Sequence, residues 1–332
     1  MGPKNISGKG ERNVGSDCFA FIQWMSEHDG TDHKISWREA VEILAKRAGI
    51  PMETDQYDKA YQLLHKIAMK RHEALSDDNE ALEYLWSRGL TDETIVKWKL
   101  GVTQKNEFGH DIKRISFPLL TKYDRVVGQS CRAIKWEHDS KFPKYWNSSN
   151  SEIFHKRSYL YGMHNYDSNF PELRITEGTM DVITADQFGV MNPVCSLGTA
   201  FTREHAMIIK NMGVSVCFCM DGDEAGLKGM RRAVDILKEF GVYAKVFIIP
   251  DNMDLAEFSL KMKEKTEEYI QEHSMMCWEF ELQAAMKTFS SQLTALRAKA
   301  MPDIINASKC ITSQEDKILM KSFVKEKFGI EL

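Results

Sequence analysis

Residues 172–258 decide how this chain is read: ELRITEGTMDVITADQFGV (172–190), NPVCSLGT (192–199), VSVCFCMDGDEAGLKG (214–229) and VYAKVFIIPDNMDLAEF (242–258). Short apolar runs, Val214 to Met220 and Val242 to Ile249, alternate with amphipathic stretches that end at Gly189, Gly213 and Gly241. Runs of that kind predict buried parallel strands, and the stretches between them crossover helices. Acids stand where the strands should end: Glu177 after ELRIT, Asp221 and Asp223 after VSVCFCM, Asp254 after VFIIP. In an open α/β sheet, ligands collect outside the carboxyl ends of the strands. Carboxylates converging there repel one another and hold raised pKa values unless cations lie between them. Hard oxygen ligands without His or Cys suit Mg²⁺ or Mn²⁺ rather than zinc. The pattern predicts a cation cradle for phosphate chemistry.

The set Glu177-Gly178-Thr179-Met180-Asp181, Ser196-Leu197-Gly198-Thr199 and Asp221-Gly222-Asp223-Glu224-Ala225-Gly226 resembles a TOPRIM domain. This is the metal-binding module of bacterial primases, topoisomerases and some nucleases. A lone DGD carries little, because Asp and Gly crowd ordinary turns. On these residues alone the alternative is a Rossmann-like domain with acidic turns.

With 332 residues, 43% of them hydrophobic and 28% charged, the chain has room for two or three domains and is neither disordered nor fibrous. It has no apolar run near the ~18 residues of a membrane span, and its polar start, MGPKNISGKGERNVGSD, carries no signal-peptide core. The expectation is a cytoplasmic protein with no membrane partner, and the TOPRIM resemblance implies a bacterial cell or a phage-infected host. Seven scattered cysteines without a CxxC pair predict reduced structural thiols. Net charge is −4, yet residues 97–157 hold thirteen Lys and Arg against six Asp and Glu, so the remainder carries −11. A basic segment beside an acidic metal site is what an enzyme working on a nucleic-acid backbone needs; a solvated basic surface is the bland alternative.

Before that segment, ISWREAVEILAKRAGI (35–50) predicts a helix with Ser36 as N-cap, Glu39 in capping-box position and Gly49 at its stop. Helices follow over 55 to about 100, with an apolar stripe of Leu82, Leu85 and Trp86 and a Thr91-capped helix ended by Gly101. Residues 114–134 have the β-branched and aromatic content of a hairpin turning at Lys122 to Asp124. KFPKYWNSSNSEIFHKRSYLYGM (141–163) then crowds basic, aromatic and amide side chains into a stretch of little helical period. Such side chains pair with phosphates and stack on the bases of a single strand.

These segments resemble bacterial DnaG-type primases over residues 17–332, most specifically at 114–163 and 172–226. The carriers are the PKYxNS segment, an FxK and an LYG, together with RGLTDETIVKWKLGV. The resemblance implies that Lys144, Tyr145, Asn147, Ser148, Lys156 and Tyr161-Gly162 take the family's places in a DNA- and nucleotide-binding groove. Arg114 and Arg132 match basic positions of its hairpin. For Arg114 and Arg132 a surface pair is the alternative, and for Tyr145 and Tyr161 simple packing. The resemblance also implies an N-terminal remnant of the zinc-ribbon domain over 1–50. An α+β subdomain over 51–170, a parallel-sheet TOPRIM domain over 171–261 and a helical subdomain over 262–332 complete the expectation. The fold class is therefore α+β and α/β. No zinc is expected, since Cys18, His28 and His33 lack a paired Cys.

Chemistry assigns expected roles. Glu177 is a metal ligand or the acid–base group; Asp221 and Asp223 hold cations that bridge nucleotide phosphates; Asp181 orients from behind; Asp254 is a ligand, a helix cap, or both. The chain departs from the family at Ala256, where bacterial primases tend to carry another acid, and Glu257 is the candidate substitute. The expectation is a DNA-directed RNA polymerase making short primers on single-stranded DNA from ribonucleoside triphosphates, with about two or more Mg²⁺ or Mn²⁺ ions. A replicative helicase or a zinc-ribbon protein in trans are further partners. The alternatives are a TOPRIM nuclease or topoisomerase, and a catalytically weak single-stranded DNA-binding module.

Overall fold

The fold is described from a computed structural model over residues 37–49, 57–103, 112–137, 140–198, 200–242, 244–289 and 314–328, with scattered positions between 302 and 311 and at 331. It comprises two compact units, 1–59 and 60–332. In the first, helix α1 (Trp37–Ala48) ends at Gly49, whose φ of +67° is a left-handed stop. Ser36, the stretch from Asp17 to Trp24, and Cys18, His28 and His33 lie outside the described residues.

From residue 60 the second unit holds nearly all of α2 (Asp58–Leu75), then α3 (Asn79–Ser87) and α4 (Asp92–Lys97). Asp78 caps α3 through the Ala81 amide, and Thr91 caps α4 through the Thr94 amide, as the sequence predicts for Thr91. Two expectations need correction. The helix stops at Lys97 rather than running to Gly101: Lys99 turns left-handed at φ 51°, and Gly101 starts a strand so close to α2 that a Cβ would lie 2.6 Å from the Arg71 carbonyl carbon. Trp86 is not core; it is 48% exposed and anchored by its indole N–H on Asp92, while Leu85 is buried.

A four-stranded antiparallel sheet follows in the order β1 (Gly101–Val102), β2 (Arg114–Leu120), β3 (Val126–Ala133) and β4 (Tyr145–Asn147). The predicted hairpin is β2–β3, closed where the Thr121 amide donates to the Arg125 carbonyl at 2.9 Å. Every residue of β2 is buried, because helices cover one face and the second sheet's periphery the other. β4 pairs with β3 so that Arg132 faces Tyr145.

The second sheet runs β6 (Pro193–Cys195), β5 (Glu172–Thr176), β7 (Ser215–Asp221), β8 (Ala244–Ile249), β9 (Met275–Met276), parallel except for β9. Along β7, Val216, Phe218 and Met220 pack on α6 (Arg203–Met212) and α7 (Glu224–Glu239). Cys217 and Cys219 face the other way, toward α5 (Thr179–Gln187), α8 (Leu255–Met262) and α9 (Thr266–His273). This period-two burial on both faces is why the sequence reads as continuous apolar runs. Cys131, Cys195, Cys217, Cys219 and Cys277 are buried thiols that form no disulfide. Beyond the sheet, α10 (Cys277–Phe289) packs on α11 (Gln314–Phe328) through Trp278, Leu282, Met320 and Val324. The α+β and α/β class expected from the sequence is the class observed.

The two sheets are tied by backbone. Tyr161 and Cys195 exchange amide–carbonyl bonds of 2.8 and 3.1 Å, so the Leu160–Gly162 segment adds to the free edge of β6. Gly162 makes that approach possible, with φ +98° and room for no Cβ, which would stand 2.3 Å from the Pro193 carbonyl oxygen. Asp186 adds a second tie, accepting from the Trp98 indole at 2.8 Å and from Lys97 at 2.6 Å.

Candidate functional site

β5 leads to β6 on one side and β7 to β8 on the other, so the chain reverses direction between β5 and β7. That reversal leaves a crevice at the carboxyl ends of the strands. Glu177 follows β5 there, Asp221 is the last residue of β7, and Asp223 follows in the turn. Asp221 is the carboxylate neighbour that acts most on Glu177. Burial first, then Asp221, Asp181 and Asp223, pushes the Glu177 carboxyl up to about 8. Oδ1 of Asp221 is buried with no hydrogen-bond partner. Asp223 caps α7, accepting from the Gly226 amide at 2.6 Å. A Cβ at Gly226 would come within 2.8 Å of Oε1 of Glu177, so any larger residue there would push that carboxylate aside.

Asp181 lies behind this edge, nearly buried, and accepts from the Gly178 amide at 2.9 Å. It therefore holds the turn that presents Glu177. Burial, then the charge of Asp254, pushes its carboxyl up to about 7 despite amide donors at Gly178 and Ala256. Asp254 caps α8, accepting from the Glu257 amide at 2.8 Å. Ala256 is 3% exposed, so its position is packed rather than open to solvent, whereas Glu257 is exposed.

The basic strand faces these acids. Arg132 donates to the Tyr145 hydroxyl at 2.9 Å, lies over the Tyr145 ring at 5.5 Å, and feels the charge of Asp181. Lys144 is exposed, with its ammonium 5.6 Å from the Trp136 ring centre. Desolvation, then the charges of Arg132 and Arg88, holds it below the usual lysine value, and Asp254 opposes them. Arg88 thus joins the cluster, although nothing in its sequence neighbourhood distinguished it from other surface arginines. Asn147 donates to the Leu197 carbonyl at 3.4 Å and leaves its own buried oxygen without a partner. Lys156 sits in a 3-10 turn whose amide donates to Asn150.

Arg114 departs from expectation. It is 1% exposed and spends its guanidinium on the carbonyls of Pro143 and Lys144, at 3.0 and 3.2 Å. It is neither a surface cation nor a free groove cation; it fixes the strand that carries Lys144. Tyr161 is likewise buried, stacked on Trp98 at 5.3 Å, and so packs rather than offering a face to a base. The Ser148 hydroxyl is occupied by the Gln129 amide at 2.8 Å.

Among the described residues, no three His, Cys, Asp or Glu side chains are gathered into a closed metal cluster. The donor set nevertheless fits a hard cation. The orphaned Asp221 oxygen and the Glu177–Asp221 contact are both relieved by positive charge between them.

Residues 174–259 match the Toprim-like family, and residues 110–167 match the DNA primase catalytic core, N-terminal domain. A fold of two sheets with strand-end carboxylates is thus Toprim-like as a class. The chain aligns with the DNA primase of Clostridium acetobutylicum at 27% identity, over 89% of this chain and 56% of that one. A DNA primase domain from Pseudomonas aeruginosa superposes with TM-score 0.66 at 25% identity, covering 82% of this chain and 96% of that one. A DnaG primase catalytic domain bound to ssDNA gives TM-score 0.66 at 23% identity, over 80% and 97%, a likeness of fold. The chain belongs to the DnaG-type DNA primases, of which it carries the catalytic-core region. It spans about half the length of the curated relatives it matches. The family uses divalent metals. No helix among the described residues is long and apolar enough to cross a membrane.

Proposed function

We propose that this chain synthesises short RNA primers on single-stranded DNA by divalent-metal-dependent nucleotidyl transfer. The observation that carries the reading is one arrangement: carboxylates Glu177, Asp221 and Asp223 at the strand ends, with Arg132 and Lys144 close enough to feel Asp181 and Asp254. In that reaction the 3′-hydroxyl oxygen of one ribonucleotide attacks the α-phosphorus of the next. The new O–Pα bond forms as the bond from Pα to the bridging oxygen breaks; pyrophosphate leaves, and the hydroxyl proton passes to solvent. Glu177, Asp221 and Asp223, with Asp254 at the margin, would hold Mg²⁺ or Mn²⁺, which when bound would lower the pKa of the attacking hydroxyl and neutralise pyrophosphate. A cation bound there would favour the ionised form of Glu177, whose carboxyl burial and the neighbouring acids otherwise hold above its ordinary range. Asp181 holds the Glu177 turn; Arg132, kept in place by Tyr145, and Lys144 bind phosphates; Asn147 and Lys156 extend the track for template or nucleotide. Arg114 acts only by fixing the Lys144 strand.

The DnaG catalytic domain bound to ssDNA supports a single-stranded template for this chain too. In this reading the substrates are ribonucleoside triphosphates, the compartment is the cytoplasm, and a replicative helicase is a further partner. The test is incorporation of labelled NTPs on single-stranded DNA with Mg²⁺ or Mn²⁺. Template-dependent, metal-dependent product is expected; DNA binding without product indicates a binding module, favoured if Ala256 cripples the acid set. Lys144→Ala should weaken single-strand binding and flatten its salt dependence, each lost phosphate contact removing about 0.7 from the log–log slope. An unchanged slope would return Lys144 to the solvated surface.

A further inference from the structure

His205, in the first turn of α6, is fully buried, and the chemistry at the carboxylate edge makes no use of it. It closes a reciprocal capping box with Thr202. The His205 amide donates to the Thr202 hydroxyl, and Nδ1 accepts from the Thr202 amide, both at 3.2 Å. Nε2 stands 3.2 Å from the Tyr159 carbonyl. An amide only donates and a carbonyl only accepts, so these partners assign the neutral ring with its hydrogen on Nε2. Burial holds the imidazole below its usual 6.5, and of the charges facing it Glu204 favours the protonated ring while Arg157 opposes it. Glutamate, the common capping-box residue, would set a second acceptor against the Tyr159 carbonyl, whereas histidine satisfies both sides. Next to it the Thr202 hydroxyl donates to the Arg157 carbonyl at 2.6 Å. The start of α6 therefore grips two carbonyls, one within and one just after the 3-10 turn that carries Lys156. The exposed Arg157–Glu204 pair adds little to that grip.

We infer that His205 is a positioning residue for nucleic-acid binding: it fixes the 156–158 turn so that Lys156 meets a phosphate of the strand. The inference rests on the reading of Lys156 as part of the track. Being sealed from solvent, His205 cannot touch the strand and acts through the turn. The physical reason is preorganisation. A lysine on a loose turn has to be ordered when the strand binds, and that cost is subtracted from its phosphate contact; a turn already held loses less. The Tyr159 hydroxyl extends the hold to the other sheet, donating to the Leu120 carbonyl of β2 at 3.1 Å. Lys156 is thus referenced to both sheets.

Two substitutions separate the grip from the helix cap. His205→Asn keeps an acceptor at the Nδ1 position for the Thr202 amide but is too short to donate to Tyr159. His205→Gln can cap and still donate. Binding of fluorescein-labelled oligo(dT) is followed by anisotropy over a salt series without divalent cations. Lys156→Ala should lose about 0.7 from the log–log salt slope, about fivefold in affinity at 0.1 M salt when the 1 M intercept is unchanged. His205→Asn should lose as much, the double variant no more than either alone, and His205→Gln should keep the wild-type slope. A wild-type slope in folded His205→Asn overturns the inference. So do losses that add in the double variant, a His205→Gln protein as weak as His205→Asn, or a Lys156→Ala protein that binds like wild type. Should His205→Asn unfold, Thr202→Gly decides, since an N-cap tolerates glycine while the donor to the Arg157 carbonyl disappears. The same loss of slope is expected, and a wild-type slope overturns the inference. A chain with this coupling that incorporates no NTPs keeps the inference and sinks the primase reading. A chain that incorporates NTPs while the two losses add does the reverse.

Discussion

Asp221→Asn is expected to reduce NTP incorporation by about 10³-fold or more, a loss of several kcal/mol of transition-state charge stabilisation. The same variant should melt at a higher temperature than wild type when divalent cations are absent. The reason is the Glu177 carboxyl, which burial and then the Asp221 carboxylate push up to about 8 from an ordinary 4.5. A carboxyl with a raised pKa favours the folded state while it is protonated. That contribution is fully present below about 4.5 and is lost as pH rises through about 8. Removing the Asp221 charge lowers the repulsion that Glu177 meets on ionising. Wild type should therefore lose more stability than Asp221→Asn between pH 5 and pH 9 (roughly the window those values span), and saturating Mg²⁺ should narrow the difference. Parallel pH–stability curves for the two proteins would show that the carboxylates do not share an electrostatic site. Full activity in Asp221→Asn would remove it from the cation cradle.

Gly162→Ala is expected to destabilise the protein by about 2–4 kcal/mol, an effect at the upper end for one methyl group. Two causes add. The backbone sits at φ +98°, which an L side chain resists, and the new Cβ would stand 2.3 Å from the Pro193 carbonyl oxygen. Relief requires the 160–162 segment to withdraw from β6, breaking the Tyr161–Cys195 pair of hydrogen bonds. The Toprim-like sheet and the basic strand would then lose a shared reference. Incorporation at a temperature where the variant is still folded should fall further than MgATP binding does, because transfer needs both sides in register. Denaturant unfolding and paired activity measurements check this. A stability change under about 0.5 kcal/mol, the range of ordinary surface substitutions, would show that the segment moves freely.

Much of this architecture is legible in the chain itself, and for local reasons. VSVCFCM and VYAKVFII read as strands because both faces of β7 and β8 are covered, so the runs need no polar alternation. Gly213 ends α6 because only a left-handed residue closes that turn cheaply, and Thr91 and Asp254 announce α4 and α8 as caps. Glu177, Asp221 and Asp223 stood out because each follows such a strand, and strand ends of a parallel sheet share an edge whatever the loops between them do. Trp86 and the end of α4 were misread because periodicity does not reveal which neighbour covers a face. Gly101 looked like a helix stop, while its actual constraint is the backbone of α2, thirty residues earlier in the chain.

Other properties belong to tertiary structure alone. Arg114 and Lys144 are both basic residues in a basic segment, yet one is sealed beneath the strand and the other stands on its surface. Tyr161 and Tyr145 differ in the same way, since one packs on Trp98 and the other steadies Arg132. The seat of His205 against the Tyr159 carbonyl and the place of Arg88 beside Lys144 have no counterpart in spacing or composition. Local sequence carries backbone preference and the period of burial, which are set by residues within a few positions of one another. Charge environment, exposure and distant hydrogen-bond partners are set by residues brought together from opposite ends of the fold, and only the packed chain holds that information.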